Sequence, residues 1–249
     1  MEYLRFLVST YYDYQKLRIA LENRMRSLPE DLAEKSFFNV LMNEALNFEK
    51  RVEEEIKREV KKEELYEKYL KHIKGVGPVM SACLIAWLAK PRTVVMWEKG
   101  KRKKVVTLEP VMKVANKPSQ LFKYSGVAPG CRRVAGKRIE YNPKIKTLMY
   151  KLFLQLLKAR GAYYQLYLQE KKRYEKRCPE PEKGSKKLKV HLTVKNIVMR
   201  RFLLNLWKVY RRLNNLPITQ PYPGLKGHYI EPVFVDASGE KVYLDWVEG

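Results

Sequence analysis

Gly75-Val76-Gly77-Pro78, with Lys71 and Lys74 just ahead of it, is the stretch of this chain best suited to bind a charged group. An apolar helical run ends at Lys74, three residues turn sharply, and a second apolar run begins at Pro78. Glycine takes up the backbone conformations of a tight turn and leaves no Cβ between main chain and ligand. Proline suits the first helical position, where its missing N–H would have had no partner. Such a turn aims the main-chain N–H groups of Gly75, Val76 and Gly77 at one point, and the chemistry this predicts is capture of a phosphate.

Other chemistry is sparse. His72, His191 and His228 are scattered, without the spacing of metal ligands. The carboxylates of the basic half (Glu98, Glu109, Glu140, Glu170, Glu175) are isolated, which speaks against a two-metal centre. Cys131 lies beside Arg132 and Arg133, which would favour its thiolate, but the sequence offers it no base or orienting partner. The residue pattern thus points to no catalytic residue, no metal ligand and no cofactor. Cys83, Cys131 and Cys178 are odd in number and far apart, which points to a reducing, intracellular compartment rather than a disulfide framework. Cys83, within an apolar run, reads as a small core residue.

The chain has 51 Lys and Arg against 27 Asp and Glu, a net charge of +24, and that charge is segregated. Residues 1–70 carry −2, residues 71–131 carry +10, residues 132–212 carry +19, and the remainder carries −3. A thermophilic surface, which the Lys, Glu and Tyr content also suggests, would interleave the signs. Segregation favours a polyanion, since concentrated cations release counterions from a phosphate backbone. A membrane is the weaker partner: the longest uncharged apolar run, Val79 to Ala89, is too short to span one, and no basic leader follows Met1.

With 45% hydrophobic residues, the chain can bury a true core. The patterns predict a mainly α protein with one or two small β-hairpins, divided into a helical region 1–70, a basic domain 71–216 and an extension 217–249. Residues 2–27 read as an aromatic-rich helix, broken by Pro29. From Asp31 to Ile73 the chain reads as one long helix. Phe37, Leu41, Ala45, Phe48, Val52 and Ile56 make a seam that either packs on its own domain or forms a homodimeric coiled coil. A buried helix is expected over 78–89. Residues 93–108 read as a β-hairpin whose basic tip holds Lys101, Arg102 and Lys103, either a plain turn or an arm along a groove. A short helix ending at Ser125 leads into the basic loop Arg132-Arg133-Val134-Ala135-Gly136-Lys137-Arg138. Long helices are expected over 144–176, starting with Lys144 and Lys146, and over 190–213, with a hairpin from 233–235 to 242–244 in the acidic tail.

The glycine elbow resembles the hairpin of helix-hairpin-helix DNA-binding domains. Over residues 65–213, the order of blocks resembles the C-terminal domain of DEDD-type insertion-sequence transposases, the family that includes the Piv DNA invertase. The matching blocks are Ile73-Lys74-Gly75-Val76-Gly77-Pro78, Gly126-Val127-Ala128-Pro129, Gly136-Lys137-Arg138, and a degenerate Tyr141-Asn142-Pro143-Lys144 leading into Leu148. The resemblance implies a mobile-element origin and a DNA partner. It also implies an N-terminal RuvC-like domain with metal-binding acidic residues and a nucleophilic serine in the basic loop. The 64 residues ahead of the match read as helix, and Gly130 to Arg138 holds no serine or threonine. Ser125, ahead of the turn, reads as a small residue at a helix end.

The combined expectation is a non-catalytic protein of the cytoplasm, associated with the nucleoid, that binds duplex or branched DNA largely independently of sequence. Gly75, Val76 and Gly77 would clamp one phosphate; Arg132, Arg133, Lys137, Arg138, Lys144 and Lys146 would line the duplex; Lys101, Arg102 and Lys103 would reach along it. A recombinase or nuclease component, or an RNA-binding protein whose tyrosines stack on bases, are the alternatives.

Overall fold

A computed structural model describes residues 3–29, 35–98, 101–136, 138–177, 185–219, 234–235 and 241–242. The protein is mainly α. Helices α1 (Tyr3–Arg26) and α2 (Lys35–Val60) pack antiparallel, with Tyr14 stacked on Phe48 and Arg18 bonded to Glu49 at 2.7 Å. This pairing takes up much of the expected α2 seam: Ala45 and Ile56 are buried and Val52 is partly so, whereas Phe37 and, despite its contact with Tyr14, Phe48 stay exposed.

The expected helix 31–73 is interrupted after Val60. Two turn residues lead through Glu63, in extended conformation, into α3 (Glu64–Lys68) and a 3₁₀ turn, Leu70–His72. The break re-aims the chain so that Leu65, Tyr66, Tyr69 and Leu70 all enter the core, which a straight helix could not achieve on the phase set by Ile56 and Val60. Helix α4 (Pro78–Leu84) follows the elbow and widens into a π turn, Ile85–Ala89.

Strands β1 (Arg92–Glu98) and β2 (Lys101–Leu108) pair antiparallel, with an irregularity between Met96 and Trp97. Lys101, Arg102 and Lys103 therefore belong to strand β2 rather than to a broad tip; the register sets Lys101 opposite Glu98 and Arg102 opposite Trp97. Short helices α5 (Val111–Val114) and α6 (Pro118–Tyr124) precede the basic loop. The expected helix 144–176 is two helices, α7 (Pro143–Ala159) and α8 (Ala162–Arg177), with Arg160 in the left-handed region at φ 52° between them. Helix α9 (Lys186–Leu213) runs through the core with Phe202, Leu203, Leu206 and Trp207 fully buried. One apolar core continues from Leu4 to Tyr210, passing across residue 70 without a gap. In the tail, β3 (Phe234–Val235) pairs with β4 (Lys241–Val242); the expected turn between them lies outside the described residues.

Candidate nucleic-acid interface

The elbow has the backbone that its sequence requires, but its parts differ in role. Gly75 adopts φ +97° and lies against the last turn of α7, where an added Cβ would stand 2.8 Å from the Ala159 Cβ and 3.1 Å from the Gln155 carbonyl. Gly77 is ordinary extended backbone at φ −78°, exposed, with open space around it. The Val76 side chain is buried, and its N–H donates to the Ile73 carbonyl at 2.9 Å, so it closes the turn and is not available to a phosphate. Available donors are the N–H groups of Gly75 and Gly77 and those of the first turn of α4, Val79 and Met80. They border an open hollow of about 700 Å³ that also takes in Lys71, Lys74, Gln155 and Lys158. Lys71 is ion-paired with Glu67, and Glu53 at the hollow's edge with Lys57, so Lys74 and Lys158 are left as cations without carboxylate partners among the described residues.

A second depression, a cleft of about 1020 Å³, lies at the start of α7. Trp87 enters it from the π turn, Tyr124 from the end of α6, Tyr141 and Asn142 from the start of α7, and Arg92, Arg138 and Lys144 from its rim. Asn142 caps α7: its Oδ1 accepts from the N–H groups of Lys144 (3.0 Å) and Ile145 (3.4 Å), while its Nδ2 donates to the Tyr124 hydroxyl at 2.9 Å. The Lys144 ammonium stands 5.2 Å from the centre of the Trp87 ring. Tyr141 lies over Gly126, whose φ of +67° and missing Cβ leave room for the ring and for the Lys146 stem. Lys146 is therefore a brace: its ammonium sits 4.1 Å from the Tyr141 ring centre and donates to the Cys131 carbonyl at 2.9 Å.

Between hollow and cleft runs a row that sequence reading missed. Lys144, Lys151 and Lys158 are seven residues apart on α7, hence on one face with only a slight drift. None has a carboxylate partner among the described residues, and α7 itself contains no acidic residue. Lys151 extends over Tyr12 at 4.0 Å from the ring centre. The signal was available as a heptad of lysines, but it is overlaid by the stronger apolar pattern of Leu148, Leu152 and Leu156 on the adjoining face.

Arg132, Arg133 and Arg138 are exposed on the loop without ion pairs among the described residues; Arg138 reaches the cleft rim, and Arg132 and Arg133 follow the Cys131 carbonyl that Lys146 holds. Lys137 and the side chains of Lys101, Arg102 and Lys103 lie outside what the structure describes. Ser125 is fully buried at the end of α6. Cys83 is fully buried too, and burial pushes its thiol up to about 11. Among the described residues no three His, Cys, Asp or Glu side chains gather to hold a metal. No helix among them is long and apolar enough to cross a membrane. Comparison with family models, curated proteins and solved structures found no match.

Proposed function

We propose that this chain binds DNA through its sugar–phosphate backbone, with little dependence on sequence and without catalysis of its own. The observation that carries the reading is the Lys144–Lys151–Lys158 row, which leads from the aromatic cleft to the hollow with the unclaimed amides of Gly75 and Gly77. Fourteen residues of helix place the ends of the row ~21 Å apart, the rise of ~6 base pairs. Lysines without carboxylate partners are available to replace the cations condensed on a phosphate backbone, so binding is driven by the release of those ions. The exposed Arg132, Arg133 and Arg138 add to the cationic surface, Arg138 at the cleft itself. Backbone contacts of this kind position a duplex without reading its bases. The block order from Ile73 to Leu148 supports a relationship to transposase C-terminal domains, stripped of the nucleophilic serine.

Equilibrium binding to unrelated duplexes over a range of salt tests the proposal. The wild type should lose affinity linearly on log–log axes, with a similar slope for each sequence. Replacing Lys144, Lys151 and Lys158 with Gln should lower the slope by roughly one for each phosphate that is no longer neutralised. A folded triple variant with unchanged affinity and slope would overturn the assignment.

A further inference from the structure

We infer that the Trp87–Tyr124–Tyr141 cleft receives an unpaired base of the DNA whose backbone follows the lysine row, so that the preferred substrate carries a single-stranded end or gap. This deepens the DNA reading and rests on it.

The lining of the cleft differs from that of a phosphate groove. Three aromatic side chains converge there from three separate elements, and its volume matches sites that hold ligands of nucleotide size. Bases stack on such rings regardless of sequence, because every base has a π face. A duplex cannot offer that face, since its bases are already stacked on each other. The positioning is built in. Trp87 is partly exposed in the wide π turn while its neighbours Ile85, Ala86 and Leu88 are buried, the Asn142 amide fixes Tyr124, and Lys146 with Gly126 fixes Tyr141. The Tyr124 hydroxyl accepts from Asn142 and keeps its own proton for a base-edge acceptor. Around the aromatic floor stand Arg92, Arg138 and Lys144, all exposed; the only acid in the described lining, Glu140, is paired with Lys123 at 3.3 Å. An entering base displaces the Lys144 ammonium from the Trp87 ring, and that cation moves to the adjoining phosphate. Because Lys144 also begins the row, the strand is led from the cleft along α7, which a free nucleotide would not use.

The test compares a blunt duplex, the same duplex with a single-stranded extension, and that duplex with an extension of abasic sites, which keeps the phosphates and removes the bases. The base-bearing extension should bind on the order of tenfold tighter than the abasic one, and Trp87→Leu should erase the difference. In the unaltered protein, 5-iodouracil placed in the extension should photo-crosslink to Trp87, Tyr124 or Tyr141, mapped by mass spectrometry; this does not depend on how the variant folds. Equal affinity for base-bearing and abasic extensions, or crosslinks confined to other residues, would overturn the base site while duplex binding leaves the backbone reading standing. Full displacement of the extension by a free mononucleotide would overturn the DNA assignment of the cleft. Absence of binding to all three DNAs would overturn both readings.

Discussion

Gly75 rests directly on Ala159: the elbow and the last turn of α7 meet with no room for a single methyl group between them. Just beyond the end of α7 the contact repeats in reverse, where Gly161 accommodates Lys74, whose Cβ stands 3.0 Å from the position a Gly161 Cβ would take. The two breaks thus lock into each other, and the lysine row of α7 is held at a fixed place relative to the amides of the elbow. Gly75→Ala forces an L side chain into φ +97° and onto Ala159, a strain of ~1–3 kcal/mol. Denaturant unfolding followed by circular dichroism should show a loss of that size. An unchanged midpoint would mean that the elbow is not anchored on α7.

Gly77 makes the opposite prediction. Its backbone is permissive for any residue and nothing lies near its missing Cβ, so Gly77→Val should fold, losing no more than ~1 kcal/mol as a poorer N-cap residue. It should nevertheless hinder close approach of a phosphate to the elbow amides. A hydrogen bond to a charged group contributes ~1.5–3 kcal/mol, so duplex affinity at low salt should fall roughly tenfold or more. Fluorescence-anisotropy titration measures this, and wild-type affinity in a folded Gly77→Val protein would remove the elbow from the interface.

The contrast between these glycines marks how far the sequence could be read. The turn, the Pro78 start of α4 and the apolar runs of α1, α4 and α9 follow from local periodicity and were legible. Which glycine is required for the fold was not, because that depends on α7, a distant part of the chain. The same holds for the two missed breaks. Val60 and Leu65 both continue an apolar pattern, and only the shared demand of Leu65, Tyr66, Tyr69 and Leu70 for the core shows that the helix must turn there. Gly161 did interrupt the pattern of 144–176, but one glycine within a long helical signal is weak evidence. The aromatic cleft was illegible for a related reason: Trp87, Tyr124 and Tyr141 come from three separate elements, and no spacing in the chain connects them.

Charge patterning was also an imperfect guide to partners, and Arg211 shows why. It falls in the basic helix α9, yet it is 2% exposed and faces inward. Its Nη1 donates to the carbonyls of Lys113 (3.1 Å), Ala115 (3.2 Å) and Met112 (3.4 Å), its Nε to that of Pro217 (2.7 Å), and Trp207 Nε1 joins it on Ala115 at 2.7 Å. This cation satisfies the open carbonyls at the end of α5. Arg211→Met should leave those acceptors buried without partners and cost ~2–3 kcal/mol, with DNA affinity at low temperature unchanged. Thermal melting paired with a binding isotherm separates the two effects; a folded variant with full stability but weakened binding would assign Arg211 to the interface instead.

His191 supplies a pH dependence whose sign is fixed by its surroundings. It is a half-buried residue of α9, its Nδ1 2.8 Å from the hydroxyl of Tyr167 on α8 and its ring edge-on to Phe153 of α7. Burial, followed by the positive charges of Lys195 and Lys171, pulls its pKa below the usual histidine value. Lys195 is itself drawn below its ordinary value by burial and by Lys146, so the charges around the ring oppose an imidazolium. The folded protein therefore holds His191 neutral where the unfolded chain would bind a proton. Its effect vanishes above the unfolded pKa of about 6.5. As pH falls through that value the unfolded state gains protons that the folded state refuses, and stability drops until the folded pKa is passed. Melting temperature should accordingly decrease between about pH 7.5 and pH 5.5. His191→Gln, which keeps an acceptor and a donor for Tyr167 but cannot titrate, should flatten the decrease. An equal slope in wild type and His191→Gln would show that His191 takes up its proton in the folded state as readily as in the unfolded one.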